Sequence, residues 1–319
     1  MHSLFPAIKP YNQHELPVSP PHVLYIEEVG NPKGKPVIVL HHGPGAAITP
    51  DLRRFFNPEV YRIILFDQRG CGRSKPYAEL MDNTTPHLLD DIEAIRDYLG
   101  LTRFVLFGSG WGSLLALLYA QMYPQQIAAL LLNQLFLGRK KDIDWFYQSG
   151  ANLVFPDYWQ HFISIVPPDE QHDIIGYYAQ CLQDNNELAR MAAAKHWALW
   201  QAHCNSLHPH FNLIDQYSVP HFALALAKLE SYYISNHYFI EENQVINEAD
   251  KIRHIPAYII HGRYNMVSPL GGAWDLHQVL SASNLRIIRD AGHSELEPGI
   301  IDALVTATKE IARQDLDVC

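Results

Sequence analysis

The sequence predicts an α/β fold: a mostly parallel sheet with helices on both faces, interrupted by an inserted helical cap. Three observations predict it. Short apolar runs of the kind that fill a parallel sheet alternate with segments whose apolar residues recur at helical spacing. Phe104–Leu117 joins two such segments through Gly108-Ser109-Gly110-Trp111-Gly112, a strand, a tight glycine turn and a helix. Between about Leu135 and Asn247 the pattern changes: Trp, Tyr, His and Gln become dense and no β run appears. The expected organisation is a core in two parts, 1–134 and 248–319, with the cap at 135–247.

Taken in order, the first twenty residues hold several prolines and little pattern, and read as an irregular arm. His22–Val29 alternates as a strand does, and the turn Gly30–Pro36 follows. Val37–Leu40 and Tyr61–Phe66 are short buried strands. Thr84 or Thr85 is placed to cap a helix that runs to about Leu99, with Leu88, Leu89, Ile92 and Ile95 on one face and Gly100 as its stop. The Phe104 strand and its helix end before Pro124. Ile127–Leu132 is another buried strand. After the cap come a strand at Ala257–Ile260, a helix from about Gly271 to Leu280, a strand at Leu285–Ile288 and a last helix near Ile300–Ala312. In such a sheet, ligands bind at the carboxyl ends of the strands, here under the cap.

Composition narrows the function classes. The chain has 319 residues, 48% hydrophobic and 18% charged, which is the balance of a globular protein. A net charge of −10 argues against a nucleic-acid or anionic-membrane partner and suits a cationic ligand. Cys71, Cys181, Cys204 and Cys319 form no C-x-x-C pair, so reduced thiols and a cytoplasmic location are expected. The longest apolar runs are too short to span a bilayer. His203, Cys204, His208 and His210 lack strong zinc spacing, and no metal or cofactor is expected. The glycine turn lacks the third glycine and the downstream acid of a dinucleotide site.

The Gly108–Gly112 turn has the layout Gly-x-Ser-x-Gly of a nucleophile elbow, except that Gly110 stands where the serine belongs. Three stretches together are specific. His41-His42-Gly43-Pro44-Gly45 resembles the His-Gly-Gly-Pro-Gly loop of proline iminopeptidases. Asp67-Gln68-Arg69-Gly70-Cys71-Gly72-Arg73-Ser74 matches that family's Asp-Gln-Arg-Gly-x-Gly-Arg-Ser. Gly108–Ser113 is similar to its Gly-Gly-Ser-Trp-Gly-Ser elbow with two letters exchanged. Gly30-Asn31-Pro32, Asn83-Thr84-Thr85 and Ala291-Gly292-His293-Ser294 also fit, so the resemblance covers nearly the whole chain.

The resemblance implies an α/β-hydrolase fold and cleavage of an N-terminal proline by serine acyl transfer, without a cofactor. It also assigns positions. Gly110 takes the nucleophile's place and Asn265, in Gly262-Arg263-Tyr264-Asn265, the acid's. His293 is the base, and the backbone N–H groups of Gly43 and Trp111 form the oxyanion hole. Gln201 and Glu230 fall where cap acids bind the substrate's amine, one of them now an amide. His42 replaces the first glycine of its loop. Ser109 lies one residue off the apex, and Ser113 begins the helix in a structural position.

The expected function is therefore a proline-iminopeptidase-like scaffold without serine hydrolysis. It binds a small amine or amino-acid-like ligand, or uses His293 as a base in non-covalent chemistry. Two alternatives stand beside it. One is an active prolyl aminopeptidase that uses Ser109 or a water; the other is a binding or regulatory module. The partner expected is a small molecule or short peptide with a free amine, and the sequence leaves the oligomeric state open.

Overall fold

The computed structural model describes residues 1–208 and 211–314. The core is an eight-stranded sheet. Its strands are β1 (Asn12–Pro17), β2 (Val23–Gly30), β3 (Lys35–Leu40), β4 (Tyr61–Asp67), β5 (Phe104–Ser109), β6 (Ile127–Asn133), β7 (Ala257–Gly262) and β8 (Ser283–Ile288). They lie in the order β1-β2-β4-β3-β5-β6-β7-β8. β1–β2 and β2–β4 pair antiparallel, and every other pair is parallel. β3, β5 and β6 are buried along nearly all their length, as continuous Val/Ile/Leu runs require of strands covered on both faces.

The N-terminal arm needs one correction. Asn12–Pro17 is not irregular but forms the edge strand β1, paired in register with β2 from Asn12↔Glu28 to Pro17↔Val23. It is polar and largely exposed, so it carries no apolar alternation to read. Its pairing comes from backbone bonds and from the Lys75–Glu15 and His14–Glu28 contacts along that edge.

Helix α1 (Thr85–Tyr98) ends where Gly100 turns left-handed, at φ +66°. Thr84 holds the N-cap position, but its hydroxyl pairs with His87 Nδ1 at 2.8 Å rather than with a helix N–H. The Thr85 hydroxyl donates to the Tyr238 carbonyl. Helix α2 (Trp111–Met122) follows β5 after one residue. Between β6 and β7 the chain is helical: α3 (Lys140–Tyr147), α4 (Ala151–Val154), α5 (Pro156–Ile163), α6 (Ile174–Gln183), α7 (Glu187–Cys204), α8 (Phe211–Tyr217), α9 (Pro220–Ser235) and α10 (Gln244–Asn247). This insertion has its own aromatic core, where Trp197, Trp200, Phe162, Tyr178 and Tyr147 stack and interlock. α11 (Leu270–Val279) and α12 (Pro298–Arg313) complete the helices. α12 covers the sheet face opposite α2 with Ile300, Leu304, Ala307 and Ile311.

Among the described residues no helix is long and apolar enough to cross a membrane. Cys71, Cys181 and Cys204 are free thiols, while Cys319 lies outside the described residues.

Candidate active site

β5 and α2 meet at Gly110, which has φ +54° and ψ −119°. The flanking glycines are demanded by close approach. A Cβ on Gly108 would lie 2.1 Å from the Gly112 carbonyl oxygen, and one on Gly112 2.2 Å from that of Leu40. Gly110 differs from both: a Cβ there would sit 3.5 Å from His42 Cβ and 3.7 Å from His293 Nε2, ordinary van der Waals contacts. The elbow thus keeps the shape that presents an apex side chain to His293, and no side chain is there.

Both oxyanion candidates adjoin this apex. Trp111 is the first residue of α2, so its N–H belongs to the unpaired first turn of the helix. Gly43 lines the same cavity as Gly110 and Trp111, in a loop with Gly43 at φ +131° and Gly45 at φ +90°. The Asp67–Ser74 motif supports that loop. Gln68 donates from Nε2 to the His41 carbonyl at 3.0 Å and accepts from the Trp111 indole N–H at 2.9 Å. Its backbone N–H donates to His41 Nε2 at 3.1 Å. One side chain therefore ties the His41 loop to the Trp111 turn. Beneath it, Arg69 forks onto the buried Asp91 with two bonds of 2.7 Å. Asp67 accepts the backbone N–H groups of Ile48 and Arg73. The sequence marked this motif by resemblance only; Gln68's bridging role was not read from it.

His293 lies on the loop after β8, and its backbone N–H donates to the Asn205 carbonyl at 2.7 Å. Its Nδ1 lies 3.1 Å from Asn265 Oδ1. Asn265 is no free turn residue. Its Oδ1 accepts the Val267 and Ser268 N–H groups at 3.1 and 2.9 Å, and its Nδ2 donates to Gln134 Oε1 and Ser268 Oγ at 2.9 and 3.1 Å. With Oδ1 anchored by two backbone donors, His293 must donate from Nδ1. The lone pair then sits on Nε2, facing the apex, which is the tautomer a general base needs. Burial, with the nearby His42 and His261 rings adding repulsion, pushes the His293 pKa down to about 3. A neutral amide at 265 supplies no charge to oppose that shift.

The other serines are engaged elsewhere. Ser109 Oγ accepts from Asn133 Nδ2 at 3.0 Å. Ser113 Oγ donates to the Gly110 carbonyl at 2.6 Å and accepts from the Phe136 N–H, which is the structural position expected of it.

On the far side of the apex the cavity is walled by Phe136, Phe146, Tyr147 and Tyr238 and reaches Gln201 and Glu230. The Glu230 carboxylate accepts from the Tyr147 hydroxyl at 2.9 Å and the Trp197 indole at 2.8 Å. Gln201 Nε2 donates to the same carboxylate and to the Tyr147 oxygen. Burial raises the Glu230 pKa to about 7, against the pull of these three donors. The cavity therefore sets aromatic walls beside a buried carboxylate, a mostly apolar lining with a few placed polar groups. Tyr147 was not singled out by sequence, where Trp197 reads chiefly as cap core; both sit within aromatic-dense helices where core and site residues look alike. His42, Gly43, Gly110, Trp111, Gln201, Glu230 and His293 all line this cavity, and Asn265 stands behind His293.

His203 stacks on Tyr158 with ring centroids 4.0 Å apart, and Cys204 is buried. His210 lies outside the described residues. Among the described residues no group of three His, Cys, Asp or Glu is placed to hold a metal ion.

Known proteins resemble the chain at two levels. Residues 36–299 match the family model for the alpha/beta hydrolase fold. The chain is 47% identical over 309 residues to a proline iminopeptidase of Xylella fastidiosa, covering 97% of this chain and 99% of that one. It is 42% identical to a proline iminopeptidase of Arabidopsis thaliana, covering 97% and 82%. Among solved structures, 2-hydroxy-6-oxo-6-phenylhexa-2,4-dienoate hydrolase from a Rhodococcus strain superposes with a TM-score of 0.65 at 18% identity, over 96% of this chain and all of that one. That likeness concerns the fold alone. Full-length identity above 40%, together with the elbow, the loop and the Asp67–Ser74 motif in their places, makes the chain a member of the proline iminopeptidase family of α/β hydrolases.

Proposed function

We propose that the cavity receives the N-terminal end of a small amine or short peptide with a proline-like ring, and that the protein acts on or holds it without forming an acyl-enzyme. The observation that carries this reading is Gly110 at the apex: the position His293 faces has no atom to acylate. Glu230 supports the amine end and the aromatic walls support the ring. The oxyanion amides remain where a carbonyl oxygen would lie.

Within this reading two outcomes differ in what happens to the bound carbonyl. The names of the relatives favour hydrolysis, with release of N-terminal proline. The tautomer of His293 supports the same outcome, since its lone pair points into the space a serine oxygen would fill and a water fits that role. Binding without turnover draws its support from the low basicity of His293 and the uncharged Asn265. In serine proteases, removing the nucleophile leaves about 10³–10⁴-fold catalysis over water from the oxyanion hole and binding alone. Slow turnover is thus the ceiling of the water route.

Release of p-nitroaniline from proline p-nitroanilide, run beside His293→Ala, tests the reading. Slow release without a burst, lost in His293→Ala, supports the water route. Thermal stabilisation by proline amide with no release supports binding alone. A burst of one equivalent per protein chain overturns both, because it reports an acyl-enzyme.

A further inference from the structure

Gln134 follows β6 directly and takes a left-handed backbone, φ +49°, although it is not a glycine. A side chain held there costs on the order of 1 kcal/mol or more in backbone strain, so something must hold it. Its side chain is fully buried. Its Oε1 accepts from the Gly262 N–H at 3.1 Å and from Asn265 Nδ2 at 2.9 Å, and its Nε2 donates to the Gly292 carbonyl at 3.0 Å. Its backbone N–H donates to the Ile260 carbonyl at 2.8 Å. The amide can therefore face only one way. It links the end of β7, the acid position and the loop that carries His293.

We propose that Gln134 is a positioning residue for His293 that commits position 265 to a neutral amide: while Gln134 is present, the site takes Asn and rejects Asp. A carboxylate at 265 would keep one oxygen on the Val267 and Ser268 N–H groups and on His293 Nδ1. Its other oxygen would stand where Asn265 Nδ2 now is, 2.9 Å from Gln134 Oε1 with no hydrogen between two acceptors. Turning the Gln134 amide over relieves that contact but sets its NH2 against the Gly262 N–H and its oxygen against the Gly292 carbonyl. Ser268 does not discriminate, because its hydroxyl can rotate to donate to either residue. Two acceptors held face to face in a buried site are costly. The amide at 265 is thus matched by its neighbour rather than standing as an isolated change, and reverting Asn265 alone does not recreate a working acid.

The test is a double-mutant cycle on the full chain, read by urea unfolding and needing no turnover. Asn265→Asp is expected to lower the folding equilibrium constant at least tenfold more in the Gln134 background than beside Gln134→Gly. Gln134→Ala gives the same comparison if the glycine loosens the end of β6. A carbon NMR titration supplies the second readout. The carboxyl introduced by Asn265→Asp alone stays protonated well above the ordinary carboxyl range, and falls back once Gln134→Gly is added. Equal cost of Asn265→Asp in both backgrounds, or an ordinary titration of the introduced carboxyl beside Gln134, overturns the proposal. So does a wild-type His293 that carries its neutral proton on Nε2.

Discussion

Gly110→Ser is the perturbation most closely determined by the structure. The new Cβ meets nothing nearer than His42 Cβ at 3.5 Å, and His293 Nε2 lies 3.7 Å from it, so a hydroxyl one bond further out falls within hydrogen-bond reach. The cost is conformational: a side chain at φ +54° gives up about 1–2 kcal/mol relative to glycine. For a chain of this length that lowers Tm by roughly 1.5–3 °C. The gain is a nucleophile beside a base in the correct tautomer. In serine proteases, losing the nucleophile costs about 10⁶ in kcat and the Asp-to-Asn change about 10⁴. Restoring serine while Asn265 remains should therefore raise turnover of proline p-nitroanilide by at least about 100-fold over Gly110. The variant should also take up one fluorophosphonate per chain on the introduced serine. A variant that folds with the expected Tm, binds proline amide as before, and shows neither labelling nor faster turnover refutes the reasoning. The apex would then not face His293.

Other outcomes follow from the same geometry. Glu230 is raised to about 7 from an ordinary 4.5, so the folded state holds its proton more tightly than the unfolded state; its contribution to stability is full below pH 4.5 and is lost as pH rises through about 7. Urea midpoints across about pH 5–8 should show that fall, and Glu230→Gln should remove it. Affinity for proline amide should rise over the same interval, as Glu230 ionises, and then decline as the ligand's own amine loses its proton, which calorimetry at several pH values reads. Arg69→Leu leaves Asp91 buried and unpaired, and should cost about 3–5 kcal/mol in urea unfolding, whereas Arg69→Leu with Asp91→Leu should recover much of it. Gln68→Ala cuts the tie between His41 and Trp111. It should weaken any turnover about tenfold or more while leaving proline amide affinity within a fewfold, because Gln68 supports the oxyanion side and not the amine side.

Much of the fold was legible because the central strands are buried on both faces. Val37–Leu40, Phe104–Phe107 and Ile127–Leu132 had to be apolar along their length, and Tyr61–Phe66 nearly so with Arg62 its one polar residue, and they read so. β1 was missed for the opposite reason: an exposed edge strand is held by backbone bonds that leave no mark on side-chain pattern. Gly110 and His293 were legible by motif, and the structure brings them together with Gly43, Trp111, Gln201 and Glu230 around one cavity. Gln68, Gln134 and Tyr147 were not assigned roles, and Trp197 read chiefly as cap core. Tyr147 and Trp197 are hidden among core aromatics. Gln134 carried a faint signal, a polar pair Asn133-Gln134 breaking an apolar strand at its carboxyl end, where sites of such sheets gather. Its meaning depends on Gly262, Asn265 and Gly292, which only the folded chain brings near.

Whether this family scaffold engages its ligand without acylation at the elbow is decided by intact mass spectrometry of the wild-type chain after incubation with a fluorophosphonate. No added mass is expected, because the apex has no side chain, Ser109 is bonded to Asn133, and Ser113 is buried against Gly110. An adduct that maps to Ser109 or Ser113 and disappears in His293→Ala would overturn that expectation, and would mean that a displaced serine has taken over the nucleophile's work.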